Sequence, residues 1–257
     1  MRAFAEGSNQ QAMDARHPLD FLTNPERFMA FSRWAAPMFG AIAAVLGLVG
    51  LFLTFAAPED YQQHDTVRMM FIHVPAAVMS MLIYLFLGIS SLLALIFRHA
   101  LADAAARACA PLGAVFTALA LITGSRWGRP MWGTWWQWDA RMTSVLVLFL
   151  FYLGYLALRS ALEDEQKAAR AAAILALVGL INLPIVKFSV EWWNTLHQGS
   201  STLFAQPGDR LPAVYLWPWA LMSLAYLSAF GSLWLVRIRA LVWRRKARAL
   251  ALRAAEN

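Results

Sequence analysis

Six apolar stretches of this chain are free of Asp, Glu, Lys and Arg: 34–58, 69–97, 108–125, 142–158, 171–186 and 211–236. A helix advances about 1.5 Å per residue, so roughly 20 apolar residues cross the hydrocarbon core of a bilayer. The first, second and last stretches are ample. The third and fourth lie near the lower limit. The fifth is short, but the Lys187 stem can snorkel and Phe188 to Val190 extend it. An open sheet is not tolerated in lipid, and no alternation of barrel type is visible. The expected fold is all-α: a polytopic membrane protein built as a bundle of six transmembrane helices. Composition agrees, with 60% hydrophobic and only 14% charged residues, against about 25% charged in a soluble domain.

Basic residues orient the spans. If both termini are cytoplasmic, sixteen of the 22 Lys and Arg residues fall on the inner side, seven of them in the tail after Val236. Arg68, Arg126, Arg129, Arg141, Lys187 and Arg210 remain outside. That asymmetry favours both termini inside. Three regions follow: a cytoplasmic segment 1–33, a transmembrane domain 34–236, and a basic cytoplasmic tail 237–257. The tail interleaves basic and apolar residues and is expected to continue the last helix onto the anionic inner leaflet. No cleavable signal peptide, internal repeat or soluble domain is apparent. The net charge of +7 is therefore a matter of topology, and no nucleic-acid motif accompanies it. No Walker A or G-x-G-x-x-G pattern is present, so ATP binding of the usual kind is not expected. Cys109 is the lone cysteine, which leaves no disulfide pair and no C-x-x-C-H haem-attachment motif.

Nine of the twelve tryptophans fall on the outer side in this topology. Five stand within the twelve residues that open "WGRPMWGTWWQWDARMTS": Trp127, Trp132, Trp135, Trp136 and Trp138, followed by Asp139. One or two tryptophans at such a position are ordinary interfacial anchors; five are not. Gly128, Pro130 and Gly133 are expected to break regular helix before Thr134. With helical spacing, Trp132, Trp135, Trp136 and Asp139 fall on one face. The expected form is a short amphipathic segment, within 125–144, lying flat on the outer surface. Asp139 also suits a helix cap at the start of the fourth span.

Of five histidines, His17 and His99 are expected in cytoplasmic segments and His64 in a solvated outer loop. His73, in "FIHVPAAV", sits about a turn inside the outer end of the second span. An ionisable group at membrane depth is costly and is usually functional. His197, in "VEWWNTLHQGSS", follows the fifth span. If that piece is helical, Val190, Trp193 and His197 share a face. No third histidine or cysteine joins them as a zinc ligand. Two imidazoles beside a broad indole surface suit a planar macrocycle with two axial positions, which is haem. Indole faces lie well against a porphyrin. Arg141, with Arg126, Arg129 or Arg68, can pair with propionates. Glu191, Trp192, Trp193 and Asn194 flank the second histidine, where an orienting hydrogen bond would be valuable.

The stretch 127–144 resembles the tryptophan-rich WWD signature of haem-handling membrane proteins. Together with "FIHVPAAV" and "NLPIVKFSVEWWNTLHQGSS", it resembles the CcmC family, haem exporter protein C of bacterial cytochrome c maturation. The resemblance runs from about Ala57 to Ser201. It implies a site for non-covalent haem b at the periplasmic face of the inner membrane. The WWD segment (Trp127, Trp132, Gly133, Trp135, Trp136, Trp138, Asp139, Arg141) would form the platform, and His73 and His197 the axial ligands. It further implies presentation of haem to the haem chaperone CcmE, and assembly with the ABC transporter subunits CcmA and CcmB and the small membrane protein CcmD. The chain itself would be a transport subunit and not an enzyme. Three other readings stand beside it: a haem lyase carrying the same signature, an electron-carrying b-type membrane cytochrome, and a structural subunit with a large aromatic belt. Lyases of that type are larger or carry more histidines, and a b-type cytochrome needs histidine pairs leading across the bundle.

Overall fold

The computed structural model describes residues 24–197 and 211–256. Helix α1 (Pro25–Ala56) starts at Asn24, whose side chain accepts hydrogen bonds from the Glu26 and Arg27 amides, with Pro25 in the first turn. A short 3₁₀ turn, Asp65–Met69, leads into α2 (Met70–Phe97). Next come α3 (Ala100–Trp132) and α4 (Ala140–Ala161). The fifth span is two helices, α5 (Glu165–Gly179) and α6 (Asn182–Trp192). Helix α7 (Ala213–Glu256) runs 44 residues without interruption. Among the described residues, six spans are long and apolar enough to cross a membrane, the fifth being α5 and α6 together. The protein is an all-α, multi-pass membrane protein.

Three expectations are corrected. Helix α3 does end before Thr134, at Gly133, but neither Gly128 nor Pro130 breaks it. It passes through Gly128 and Pro130 and ends after Trp132, where Gly133 takes a left-handed φ of 74° and donates its amide to the Arg129 carbonyl. Gly128 is a packing residue: a Cβ there would lie 2.7 Å from the Trp132 ring. Pro130 has no amide hydrogen to give the carbonyl four residues back, and α3 ends two residues beyond it, at Trp132. The tryptophans therefore do not share a flat amphipathic helix. Trp127 and Trp132 ride on α3, while Trp135, Trp136 and Trp138 occupy the short connection to α4. Finally, α6 ends at Trp192, Trp193 is extended, and the chain from there to His197 is not helical, so no helical face joins Val190, Trp193 and His197. The tail does continue the last helix, as α7 shows.

The fifth span breaks at Leu180 and Ile181. Their amides donate to the carbonyls of Leu177 and Val178, three residues back, which tightens the turn. Asn182, buried, donates its side-chain amide to the Ser144 carbonyl at 2.8 Å and ties the break to α4. Such polar links are the cross-helix ties a bilayer permits, where apolar burial alone drives little association.

Packing relies on small residues that admit large ones. Tyr152 of α4 is fully buried and donates to the Ser80 carbonyl of α2 at 2.7 Å. Its ring occupies the space a Cβ on Gly113 would need, 2.0 Å from the ring carbon Cζ. Tyr84 lies edge-on to Tyr152 over the same core as Leu87, Cys109 and Leu148. At the end of the bundle that carries α1's start and α7's tail, Asp103 of α3 accepts from Arg159 of α4 at 2.7 Å and from Arg245 of α7. Trp234 donates to the Ala105 carbonyl at 3.0 Å, and Arg239 to the Met29 carbonyl at 2.7 Å. These bonds hold α7 against α1 and α3 and leave the opposite end of the bundle to form a cavity.

Candidate ligand-binding cavity

A cavity of about 370 Å³ opens between α2, α3, α4 and α6 at the tryptophan-rich end. His73 and His197 both line it, with Trp127, Trp132, Arg141 and Glu191. Much of the remaining wall is apolar, from Met70 and Val74 near the mouth to Met81, Leu121, Val145 and Val186 deeper in. Ligand sites commonly combine an apolar wall with a few placed polar groups.

His73 stands in the first turn of α2. Its Nδ1 lies 3.0 Å from the Ala120 carbonyl and 3.1 Å from the Thr123 hydroxyl. A carbonyl only accepts, and the one Thr123 hydroxyl hydrogen is directed at the Leu119 carbonyl at 2.6 Å. Nδ1 therefore carries the ring hydrogen, and the Nε2 lone pair is free. The ring sits against α3 because residue 124 is glycine: a Cβ there would lie 2.8 Å from the ring carbon Cε1. Trp127 meets the same ring edge-on, centroids 5.7 Å apart, and its Nε1 donates to Gln63 at 3.1 Å.

His197 is held by the loop after α6. Its Nδ1 lies 3.0 Å from Asp139 Oδ2. The Thr195 hydroxyl donates to the same oxygen at 2.5 Å and accepts from the His197 amide at 3.1 Å. A carboxylate accepts only, so here too Nδ1 carries the hydrogen and Nε2 is free. Trp132 lies edge-on to the ring, with centroids 4.9 Å apart. Asp139 is 9% exposed. Its other oxygen caps α4, accepting from the Met142 amide at 2.7 Å. Burial opposes the charge of Asp139, yet the Thr195, Met142 and His197 contacts hold its carboxyl below the usual range. Burial likewise lowers the His197 imidazole, against the pull of Asp139.

The other proposed site residues scatter. Trp135 is half exposed, with Arg126 and Arg129 each 6.0 Å over its ring. Trp136 meets Trp138 edge-on, and Trp138 is exposed. Neither these three nor Gly133 lines the cavity. Arg129 donates to the Gly133 carbonyl, and Arg68 pairs with Asp65 at 2.7 Å. Arg141 spans to α6, donating to Ser189 Oγ and the Lys187 carbonyl, both at 3.2 Å. Trp192 and Trp193 are exposed and edge-on to one another, and Asn194 is exposed. Asp139 and Thr195, not Glu191 or Asn194, orient His197. His64 adopts a left-handed φ of 48° in the loop before α2, away from the cavity wall. His17 lies outside the described residues. Among the described residues, no three His, Cys, Asp or Glu side chains cluster to hold a metal ion.

Several residues of the cavity wall, or behind its histidines, escaped the sequence. Gly124 sits in an apolar run with nothing local to mark it. Thr123, Thr195 and Gln63 carry no motif. Trp219 of α7 was visible only as part of the one-sided tryptophan excess. It lines the cavity, and its buried Nε1 has no hydrogen-bond partner among the described residues.

The family model for haem exporter protein C, CcmC, matches residues 19–253. This chain belongs to the CcmC family. Among curated members, haem exporter protein C of Bradyrhizobium diazoefficiens is 52% identical over 92% of this chain and 89% of its own length. The protein of that name from Paracoccus denitrificans is 47% identical, covering 90% and 95%, and that from Escherichia coli K12 is 45% identical, covering 86% and 89%. The matched range takes in the seven described helices of this CcmC-family chain but for the final residues of α7.

Proposed function

We propose that this protein binds haem b non-covalently as cargo in the cavity between α2, α3, α4 and α6, and presents it for cytochrome c maturation. The supporting observation is that two histidines on one cavity each commit Nδ1 to an acceptor and leave Nε2 open. That is the arrangement of a metal-bound imidazole with its supporting partner in place. The family relatives carry the name haem exporter. Trp127 and Trp132 buttress the two rings, and the unpartnered Trp219 Nε1 is a donor to which a propionate is complementary. Arg141 adds positive charge to the same wall. In this reading haem iron is held by His73 and His197, and the exposed Trp135 and Trp138 face whatever receives it. The recipient is the chaperone CcmE, with CcmA, CcmB and CcmD as the surrounding ABC-type complex. The chain contributes binding and orientation, and no chemical step of its own. The cavity lies on the periplasmic side of a bacterial inner membrane, with both termini cytoplasmic.

The test is spectroscopic. Purified protein should show the Soret and α/β bands of low-spin, bis-histidine haem. Replacing His73 or His197 by Gly should alter the bands, and free imidazole at high concentration should restore them, since an untethered ligand bears the full association entropy. His64→Gly is the control and should change nothing. Unchanged spectra in both cavity variants, or loss in His64→Gly alone, would refute the assignment.

A further inference from the structure

The two histidines are not held alike. His73 donates to a neutral backbone carbonyl. His197 donates to a carboxylate, which is itself 9% exposed and fixed at its other oxygen by the start of α4. Hydrogen bonds to a charged acceptor are about twice as strong as neutral ones. A carboxylate behind an imidazole also raises its basicity and fixes its ring plane. The Thr195 hydroxyl locks the same oxygen from the loop side. The described residues leading to His197, from Trp193, are not helical, so this contact replaces the rigidity that a helix gives His73.

We propose that Asp139 is the positioning residue for His197, and that it makes the two axial ligands unequal, with His197 the anchoring ligand and His73 the one that yields first. This rests on the haem reading above and specifies how that site works. Asp139 touches His197 and not the cargo, so its effect passes through the ring. One residue therefore both begins a transmembrane helix and sets the order in which the cargo is let go.

Asp139→Asn separates the two duties. Asparagine caps a helix as well as aspartate does, so the Met142 amide keeps an acceptor and α4 keeps its start. The amide nitrogen that replaces Oδ2 cannot accept from Nδ1. The purified protein should then lose haem roughly 10–100-fold faster, as metal sites do when such a partner is removed. The reduction potential of the bound haem should rise, because a less basic imidazole favours ferric iron less. Thr123→Val, on the His73 side, should leave the potential unchanged.

The order of release is read from a cycle of variants. Haem should leave His197→Gly at least tenfold faster than it leaves His73→Gly. In an Asp139→Asn background that difference should collapse. Equal loss from the two single variants, or an Asp139→Asn protein with wild-type potential and retention, would overturn the inference while bis-histidine haem in the wild type kept the site assignment intact. A wild type without a bis-histidine spectrum would remove both. A lowered melting temperature with an unmoved potential would assign Asp139 to capping alone and also overturn it.

Discussion

Gly124 offers a test that begins from one distance. Replacing it by Ala places a Cβ 2.8 Å from His73 Cε1 and 3.3 Å from Nδ1. Comfortable carbon contacts lie at about 3.5–4.0 Å, so the ring must retreat by roughly 0.7–1 Å. Ala120 lies one turn earlier on the same helix, so retreat also lengthens the 3.0 Å bond to its carbonyl. That takes it past the useful range. Losing this bond costs about 1 kcal/mol, and overpacking about 1–3 kcal/mol. Against this, Ala in a helix interior gains about 0.5–1 kcal/mol over Gly. The net expectation is a less stable protein with a displaced ligand. Gly47→Ala is the matched control, because its Cβ would meet Ala225 at an ordinary 3.8 Å; it should be neutral or stabilising. Thermal unfolding followed by tryptophan fluorescence in detergent, with a haem titration of each variant, reads both effects. If Gly124→Ala melts at or above wild type and takes up haem with an unchanged Soret band, the close approach of His73 to α3 does not constrain the site.

Tyr152→Phe removes a buried hydroxyl and its 2.7 Å bond to Ser80, and should cost about 1–1.5 kcal/mol of stability by the same melting assay. Trp132→Ala, which strips the face of His197, should change haem retention more than Trp135→Ala, whose ring is half exposed and off the cavity; the reverse ranking in retention assays would return the platform to the connecting segment. Because His197 is lowered below its usual value in the folded state, the unfolded chain takes up a proton first as pH falls through about 6.5. The apoprotein should accordingly lose stability from about pH 6.5 downward, and His197→Gln should flatten that part of the melting-temperature profile. Single cysteines at 135 or 138, in a Cys109→Ala background, should react with an impermeant thiol reagent in intact spheroplasts; labelling only after lysis would invert the proposed orientation.

The spans were legible because the absence of charge over a bilayer's width is a strong and local signal. Their ends were less so. Gly128 and Pro130 look like breakers, yet α3 runs through both: the first makes room for Trp132, and the helix ends only at Gly133, past the second. The two histidines stood out because ionisable groups near membrane depth are rare. Their partners did not. Ala120 contributes a backbone carbonyl that any residue would offer, and Thr195 and Asp139 are 56 residues apart and meet only through folding. Asp139 was visible as a cap, but its second oxygen was assigned by tertiary contact alone. The tryptophan cluster announced a site without separating the rings on its wall, Trp127 and Trp132, from those on its rim.

The tightened turn between α5 and α6 bears on angular phase. An α-helix turns the chain by about 100° per residue, and i→i−3 winding by about 120°. Three amides bonded that way, those of Leu180, Ile181 and Leu183, rotate everything after them by roughly 40–60° relative to a continuous helix. Ser189, which accepts from Arg141, and Val186 of the cavity wall owe their bearing to that offset. A substitution that restored uniform winding at 180–183 would alter no wall residue, yet it would swing Ser189 off Arg141 and turn Val186 away. The azimuth of one cavity wall is thus kept by a joint outside the cavity, much as the setting of a dial is kept by its detent.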